Sequence, residues 1–289
     1  MKTLKKIITK FLTILIFLII FNGTVFSEQN GQYPLWEFGL FNAAARLPHY
    51  RGSDEYKWYV LPLPYIIYRG DIIRADRESI RGIFYDSDYF ETNISMNGNP
   101  PVSSDNKARE GMSGLDAIFE VGPAIKWFVF GRHPMDSLYL RLALRAAYSL
   151  GFDNGMNISY QGLRSGLNLI YFNQSSFEKF GLSYGLNAGI DFSNSQLHSY
   201  FYDVPREDVR PGRPYYKSGS GYSGFSLAGT LQKKLTDNLS LGFYSRWDNI
   251  SGAVYDDSPL VKRDNNFIFG TALIWKIAES KKMVSFDDQ

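Results

Sequence analysis

The chain has 289 residues, 44% hydrophobic, 16% aromatic and 21% charged, with 31 basic against 29 acidic residues and no cysteine. This length supports one large domain or two small ones. The missing cysteines exclude a disulfide scaffold, thiol catalysis and cysteine-held zinc or iron–sulfur centres, and the near-neutral charge gives no footprint for nucleic acid. What stands out is 22 Phe, 20 Tyr, 5 Trp and 26 Gly in a chain whose mean hydropathy is only -0.23. That composition excludes disorder, and the chain lacks the several long apolar runs of a polytopic helical membrane protein.

In chain order, Lys2, Lys5, Lys6 and Lys10 precede the run Phe11–Phe21, apolar but for Thr13, and Val25 and Ser27 then offer small-residue cleavage positions. This is the pattern of a secretory signal peptide over 1–27. The run falls well short of the ~20 apolar residues of a spanning helix. Without those four lysines the rest of the chain, 28–289, carries 27 basic and 29 acidic residues, a net charge of −2.

Beyond Glu28 the period is two, not 3.6. From Leu138 to Tyr148, Leu138, Leu140, Leu142 and Leu144 alternate with Tyr139, Arg141, Ala143 and Arg145. From Phe180 to Phe192, Leu182, Tyr184, Leu186, Ile190 and Phe192 alternate with Gly, Ser, Asn and Asp191. Leu239–Asp248 and Phe267–Ile277 repeat the pattern, with Arg246 on a polar face. Such alternation means strands with one apolar and one polar face.

The expected strands are 35–46, 57–68, 72–85, 88–96, 115–131, 138–150, 156–172, 178–192, 196–203, 221–235, 239–249 and 266–277. Twelve is an even number, as bacterial single-chain barrels have, with ten as the competing count. Soluble sandwich strands are about half as long. Arg141, Arg145, Asp191 and Arg246 on inner faces would be costly in a dry sandwich core but suit a barrel lumen. The expectation is therefore an all-β transmembrane antiparallel up-and-down barrel in a Gram-negative outer membrane, touching lipid and lipopolysaccharide, with its aromatics in two girdles. With a periplasmic N-terminus, 47–56, 132–137, 173–177, 204–220 and 250–265 become external loops. The turns 69–71 and 236–238 are internal, and 97–114 is left as an oddly long internal turn.

The stretch ARLPHYRGSDEYKWYVLPLPYIIYRGD, Ala45 to Asp71, holds Pro48, Tyr50, Gly52 and Ser53, then Pro62 and Pro64 before a Tyr-rich strand end. Ser258-Pro259-Leu260-Val261 precedes a last aromatic strand ending near Trp275-Lys276-Ile277. These two segments resemble the MipA/OmpV family of outer-membrane proteins. The resemblance implies a barrel without catalytic activity. It also implies a scaffolding role in which the family's MltA-interacting protein links a murein hydrolase, a lytic transglycosylase, to a peptidoglycan synthase; relatives act in adhesion and envelope stress. It assigns no chemistry to its motif residues, whose expected role is structural. Pro62 and Pro64 lack ladder donors and mark an edge, a bulge or interrupted pairing. The charged tail from Glu279 departs from barrels that end on an aromatic.

Other motifs carry less. Gly219-Ser-Gly-Tyr-Ser-Gly224 spells a dinucleotide fingerprint, but a strand-like segment follows where a helix is needed. Arg69-Gly70-Asp71 falls in an internal turn. His49, His133 and His198 form no evident catalytic constellation with a nucleophile; His198 and Ser199, as strand neighbours, would point to opposite faces. Neither catalysis nor a cofactor is expected, and a lipid-modifying enzyme is the lesser alternative. Asp256-Asp257 reads as a solvated loop rather than a calcium site. Two readings stay open for the lumen: Arg141, Arg145, Arg164 and Arg246 favouring anions in a small channel, or pairing with Glu120, Asp191 and Asp248 to fill it.

Overall fold

The computed structural model describes residues 32–69, 73–75, 80–82, 85–102, 106–131, 136–152 and 156–285. The expected signal peptide, 1–27, lies outside them, as do His133, Gly70 and Asp71. Among the described residues no helix is long and apolar enough to cross a membrane.

Strand dominates the described residues. A short strand β1 (Gln32–Pro34) leads into β2 (Trp36–Pro48) and β3 (Tyr56–Arg69). Three brief strands follow, β4 (Ile73–Ala75), β5 (Ile80–Gly82) and β6 (Tyr85–Asp86), then the long β7 (Phe90–Asn99), β8 (Ala117–Phe130), β9 (Ser137–Gly151) and β10 (Asn157–Asn173). A helical turn α1 (Ser175–Phe180) precedes β11 (Leu182–Ser193), and α2 (Ser195–Tyr202) follows it. The rest is β12 (Gly221–Lys234), β13 (Leu239–Asn249), β14 (Asn265–Glu279) and β15 (Met283–Ser285).

One sheet runs β5-β4-β3-β2-β14-β13-β12-β11-β10-β9-β8-β7-β6, with antiparallel neighbours throughout. Setting aside the two-residue β6, a stub on β7, twelve strands go up and down. The first long strand pairs with the last from Glu37↔Glu279 to Arg46↔Phe269. The two sheet edges, β5 and β6, are separated in sequence by residues 83–84 alone, so they lie within about 11 Å of chain of each other. The sheet therefore curls round an interior, across which side chains from opposite strands meet.

Two differences from the sequence reading shift the topology. Residues 196–203 form α2, not a strand: Leu197, Phe201 and Tyr202 are buried at helical spacing, and Asn194 caps the helix by accepting from Leu197 N at 3.1 Å. The segment 72–85 holds separate short strands rather than one long one. These two departures cancel in the count but reverse the direction of every strand between them. The described residues of 97–114, 132–137 and 173–177 consequently sit at the opposite ends from those expected. One end gathers 49–55, 100–102, 106–116, 152, 156, 194–220 and 250–264; the other gathers 131, 136, α1, 235–238 and both described termini. Long connections on one end and short turns on the other match extracellular loops and periplasmic turns.

The outer face is apolar. Val60 is 71% exposed, Leu142 54% and Phe269 49%, within a band of exposed Leu, Val, Ile, Phe and Trp on successive strands. Such a surface is far larger than a soluble monomer tolerates. Its rings collect at two levels. At the loop end, Tyr148 meets Tyr160 at 5.8 Å and Phe192 meets Tyr222 at 5.9 Å. At the terminal end, Phe90 stacks on Trp127 at 6.4 Å and Tyr171 meets Tyr184 at 6.0 Å. Along β10 the levels are eleven residues apart, which at ~3.3 Å per residue and a ~40° tilt is a band about 28 Å tall.

The inner face is divided. Phe41, Ala43, Ala45, Tyr65, Ile67, Ile268 and Ile274 make an apolar wall on β2, β3 and β14. The remaining wall is polar, and it carries the charges described next. Pro62 and Pro64 face outward on β3, whose pairing with β2 is continuous. Among the described residues, its other edge pairs only at Tyr68↔Ala75 and Arg69↔Arg74. Prolines are tolerated on such an edge because no donor is wanted there.

Candidate functional site

The loop end is a packed cap. Tyr50, Val102, Leu115, Leu197, Phe201, Tyr202, Ile250 and Tyr255 bury one another although they come from four different connections. Polar bonds fix their register. The Tyr50 hydroxyl donates to Leu260 O at 2.8 Å, and Gly52 N donates to Asn266 Oδ1 at 2.6 Å. Asn266 Nδ2 donates back to Ser53 O at 2.7 Å, while Gly52 O accepts from Lys262 N at 2.7 Å. The segments Pro48–Ser53 and Ser258–Val261, some 200 residues apart, are thus the two halves of one lock. Ser258 adds a bond to Tyr202 O at 2.7 Å. Gly52 adopts φ +90, and a Cβ there would stand 3.0 Å from Ile250 and 3.1 Å from Val261. Only glycine meets both demands without strain.

The connection 100–116 belongs to this cap. Asn106 Nδ2 lies 2.9 Å from His49 Nδ1, and the Lys107 amide donates to Glu55 at 2.7 Å. Arg109 donates to Phe201 O at 3.0 Å, and Arg213 reaches back to Glu110 O at 2.9 Å. Helix α2 is seated on β10 through a bulge at Gly162, where Asn194 Oδ1 accepts from Leu163 N at 3.0 Å. Next to it, His198 Nδ1 lies 2.7 Å from Gly219 O and its Nε2 lies 2.7 Å from Ser223 Oγ. Burial lowers the His198 pKa to about 4. The ring is therefore neutral, donating to the carbonyl and accepting from the serine. Burial likewise pushes the Tyr50 hydroxyl upward.

Below the cap the lumen carries a belt of charge. Arg51 descends from the first connection to Asp191 at 2.8 Å and Asp248 at 3.2 Å. Asp248 also takes Arg246 at 2.7 Å. Glu120, 2% exposed, holds Arg145 at 3.1 Å and Arg164 at 2.9 Å, and Arg145 also donates to Ser95 at 3.1 Å. Arg141 reaches the same cavity, but its Nε is buried with no hydrogen-bond partner. The four lumen residues singled out in the sequence, Arg141, Arg145, Asp191 and Arg246, all line one cavity of the interior. Two cavities flank it, about 80 Å³ against the cap and about 170 Å³ below.

The alternation of the strands showed which residues face inward; it had no means of finding Arg51 or the Ser223–His198 bond. Arg51 lies in a connection, and its partners stand on β11 and β13. His198 lies on α2 and not on the expected strand 196–203, and it turns from Ser199 toward Ser223 of β12. Ser223 and His198 are 1% and 3% exposed and border the smaller of the two cavities. No group of three or more His, Asp or Glu among the described residues is placed to hold a metal ion.

The cap, the belt and the apolar outer band are those of an outer-membrane barrel whose loop end is filled by its own connections. The chain matches the family described as MltA-interacting protein MipA over residues 40–277, and it belongs to that family. The match runs from the first long strand to the last and includes both halves of the cap lock. No curated protein matches the chain. Among solved structures it is similar to a "Bacterial polysaccharide outer membrane secretin", at 10% identity and a TM-score of 0.38, covering 84% of this chain and 99% of that one. It is also similar to a Pseudomonas aeruginosa FadL homologue, at 9% identity and a TM-score of 0.25, covering 86% and 91%.

Proposed function

We propose that this outer-membrane barrel is a non-catalytic scaffold whose partner is a murein-acting enzyme held at the periplasmic end. The observation that carries the reading is the interlocked cap. A lumen covered by connections bonded to one another and pinned by a buried ion-pair belt is built to stay shut, which disfavours the channel alternative. The Ser–His pair is buried within the same cap, its ring held by the Gly219 carbonyl rather than by a carboxylate, which disfavours a lipid-modifying enzyme. Family membership supplies the class of partner, since the family is described by its interaction with MltA.

The terminal end offers the surface. There β1 and β15 join the two described chain ends as a ribbon, with Tyr33↔Val284 and Pro34↔Met283 in register and Leu35 N donating to Lys282 O at 2.8 Å. Asp136 orders the turn beside α1, accepting from Gln174 N at 2.6 Å and from Ser175 N at 2.8 Å. The segment 97–114, an oddly long internal turn in the sequence reading, belongs to the cap and takes no part in this surface.

The test is affinity capture of the full-length protein from detergent-solubilised membranes. Recovery of a lytic transglycosylase or a peptidoglycan synthase is expected, and a chain ending at Glu279, without the β15 half of the ribbon, should recover it less well. Capture of neither enzyme by a correctly folded barrel would remove the scaffold reading.

A further inference from the structure

We infer that the larger lumen cavity is a binding site for a small oxyanion, a phosphate group above all. The cavity, about 170 Å³, is lined by Arg51, Arg141, Arg145 and Arg246, with Asp191 as its carboxylate. It has room for several waters, enough for a phosphate-sized group.

The charges around it do not balance. The belt holds five guanidinium groups, on Arg51, Arg141, Arg145, Arg164 and Arg246, against the three carboxylates of Glu120, Asp191 and Asp248. Each carboxylate is already engaged: Glu120 by Arg145 and Arg164, Asp191 by Arg51, and Asp248 by Arg51 and Arg246. Arg141 makes no ion pair among the described residues. Its Nε, like Nη1 of Arg51, is buried without an acceptor. Guanidinium does not lose its proton at any accessible pH, so this charge cannot be relieved by titration. The remaining relief is a mobile anion, and the planar forks of arginine match the oxygen edges of phosphate. Asn187 Oδ1, also buried without a donor, lines the same cavity and suits a protonated phosphate oxygen.

This differs from conduction. A closed cap above the belt makes the cavity a place where an anion stays, stapling Arg51 of the first connection to the wall of β9 and β13. The inference stands independently of the scaffold reading, because it concerns the lumen and not the periplasmic surface.

The full-length protein is refolded from urea into an uncharged, phosphate-free detergent with increasing sodium phosphate, sodium chloride holding ionic strength constant, and its thermal midpoint is followed. The midpoint is expected to rise with phosphate and not with chloride. Arg141→Gln should retain the heat-modifiable gel mobility of the folded barrel and require about tenfold more phosphate for the same rise. Arg206→Gln, on the exposed side of the cap, should respond as the wild type does. Glycerophosphate acting like inorganic phosphate supports the lumen site. No rise with phosphate, an equal rise in Arg141→Gln, or a rise produced only by phosphatidylglycerol, whose headgroup meets the outer wall, overturns it.

Discussion

At the loop end, connections of very different length fold over the lumen and are held by buried side chains from segments as far apart as Tyr50 and Leu260, whereas at the terminal end short turns are held by exposed bonds within a turn or to an adjacent one. The contrast teaches where the stability of this barrel resides. In the cap and belt, one side chain serves two or three partners that the lipid and the sheet already hide from water. Removing it strands the others. In the terminal turns, Thr236 and Leu239 bond each other, Asp136 serves one helical turn, and the loss of one group leaves little behind. The proposed partner surface thus lies at the end that tolerates change, while the loop end is bound together by its own connections.

The largest effect should come from Glu120→Ala, which leaves Arg145 and Arg164 buried without their shared carboxylate. Breaking a buried pair in this way costs about 3–5 kcal/mol, read as a lower denaturation midpoint in detergent.

The His198 ring is next. Its pKa is lowered in the folded state, so the unfolded chain binds the proton first as pH falls. Stability is therefore complete above the ordinary histidine value of 6.5, declines as pH drops toward about 4 and then levels, a change of about 3 kcal/mol. His198→Gln should flatten the difference across that window. An unchanged slope would show that other groups cause it.

Gly52→Ala should cost about 1–3 kcal/mol through the positive φ and the contacts with Ile250 and Val261. At the terminal end, Asp136→Ala should cost only about 1 kcal/mol, the scale of a lost helix cap. Asp237→Asn, beside Lys234 on the exposed rim, should produce no measurable shift in midpoint. If Asp136→Ala proved as damaging as Glu120→Ala, the contrast between the ends would fail.

Much of the wall was legible in the sequence. Leu142 and Leu144 face outward and Arg141 and Arg145 face the lumen because period two leaves a strand no other choice. The girdles were legible from composition, since excess rings need an interface to occupy. Parity was not. Reading 72–85 as one strand instead of β4 and β5, and 196–203 as a strand instead of α2, kept the count at twelve while turning the intervening strands over. The spacing of Leu197 and Phe201, four residues apart, was the available signal for the helix. The lock between Gly52 and Asn266, and the descent of Arg51 to Asp191, were beyond periodicity, because they depend on which connections share an end. The segment 97–114 shows the consequence: its length was odd for a periplasmic turn and is ordinary for part of the cap.

The central claim is that the cap closes the barrel. Current across a planar lipid bilayer containing the purified protein tests it most directly. The wild type should give no stable single-channel steps, and Tyr50→Ala combined with Arg51→Ala, which frees the first connection from both the lock and the belt, should give them. Stable open steps from the wild type, unaffected by those substitutions, would contradict the account.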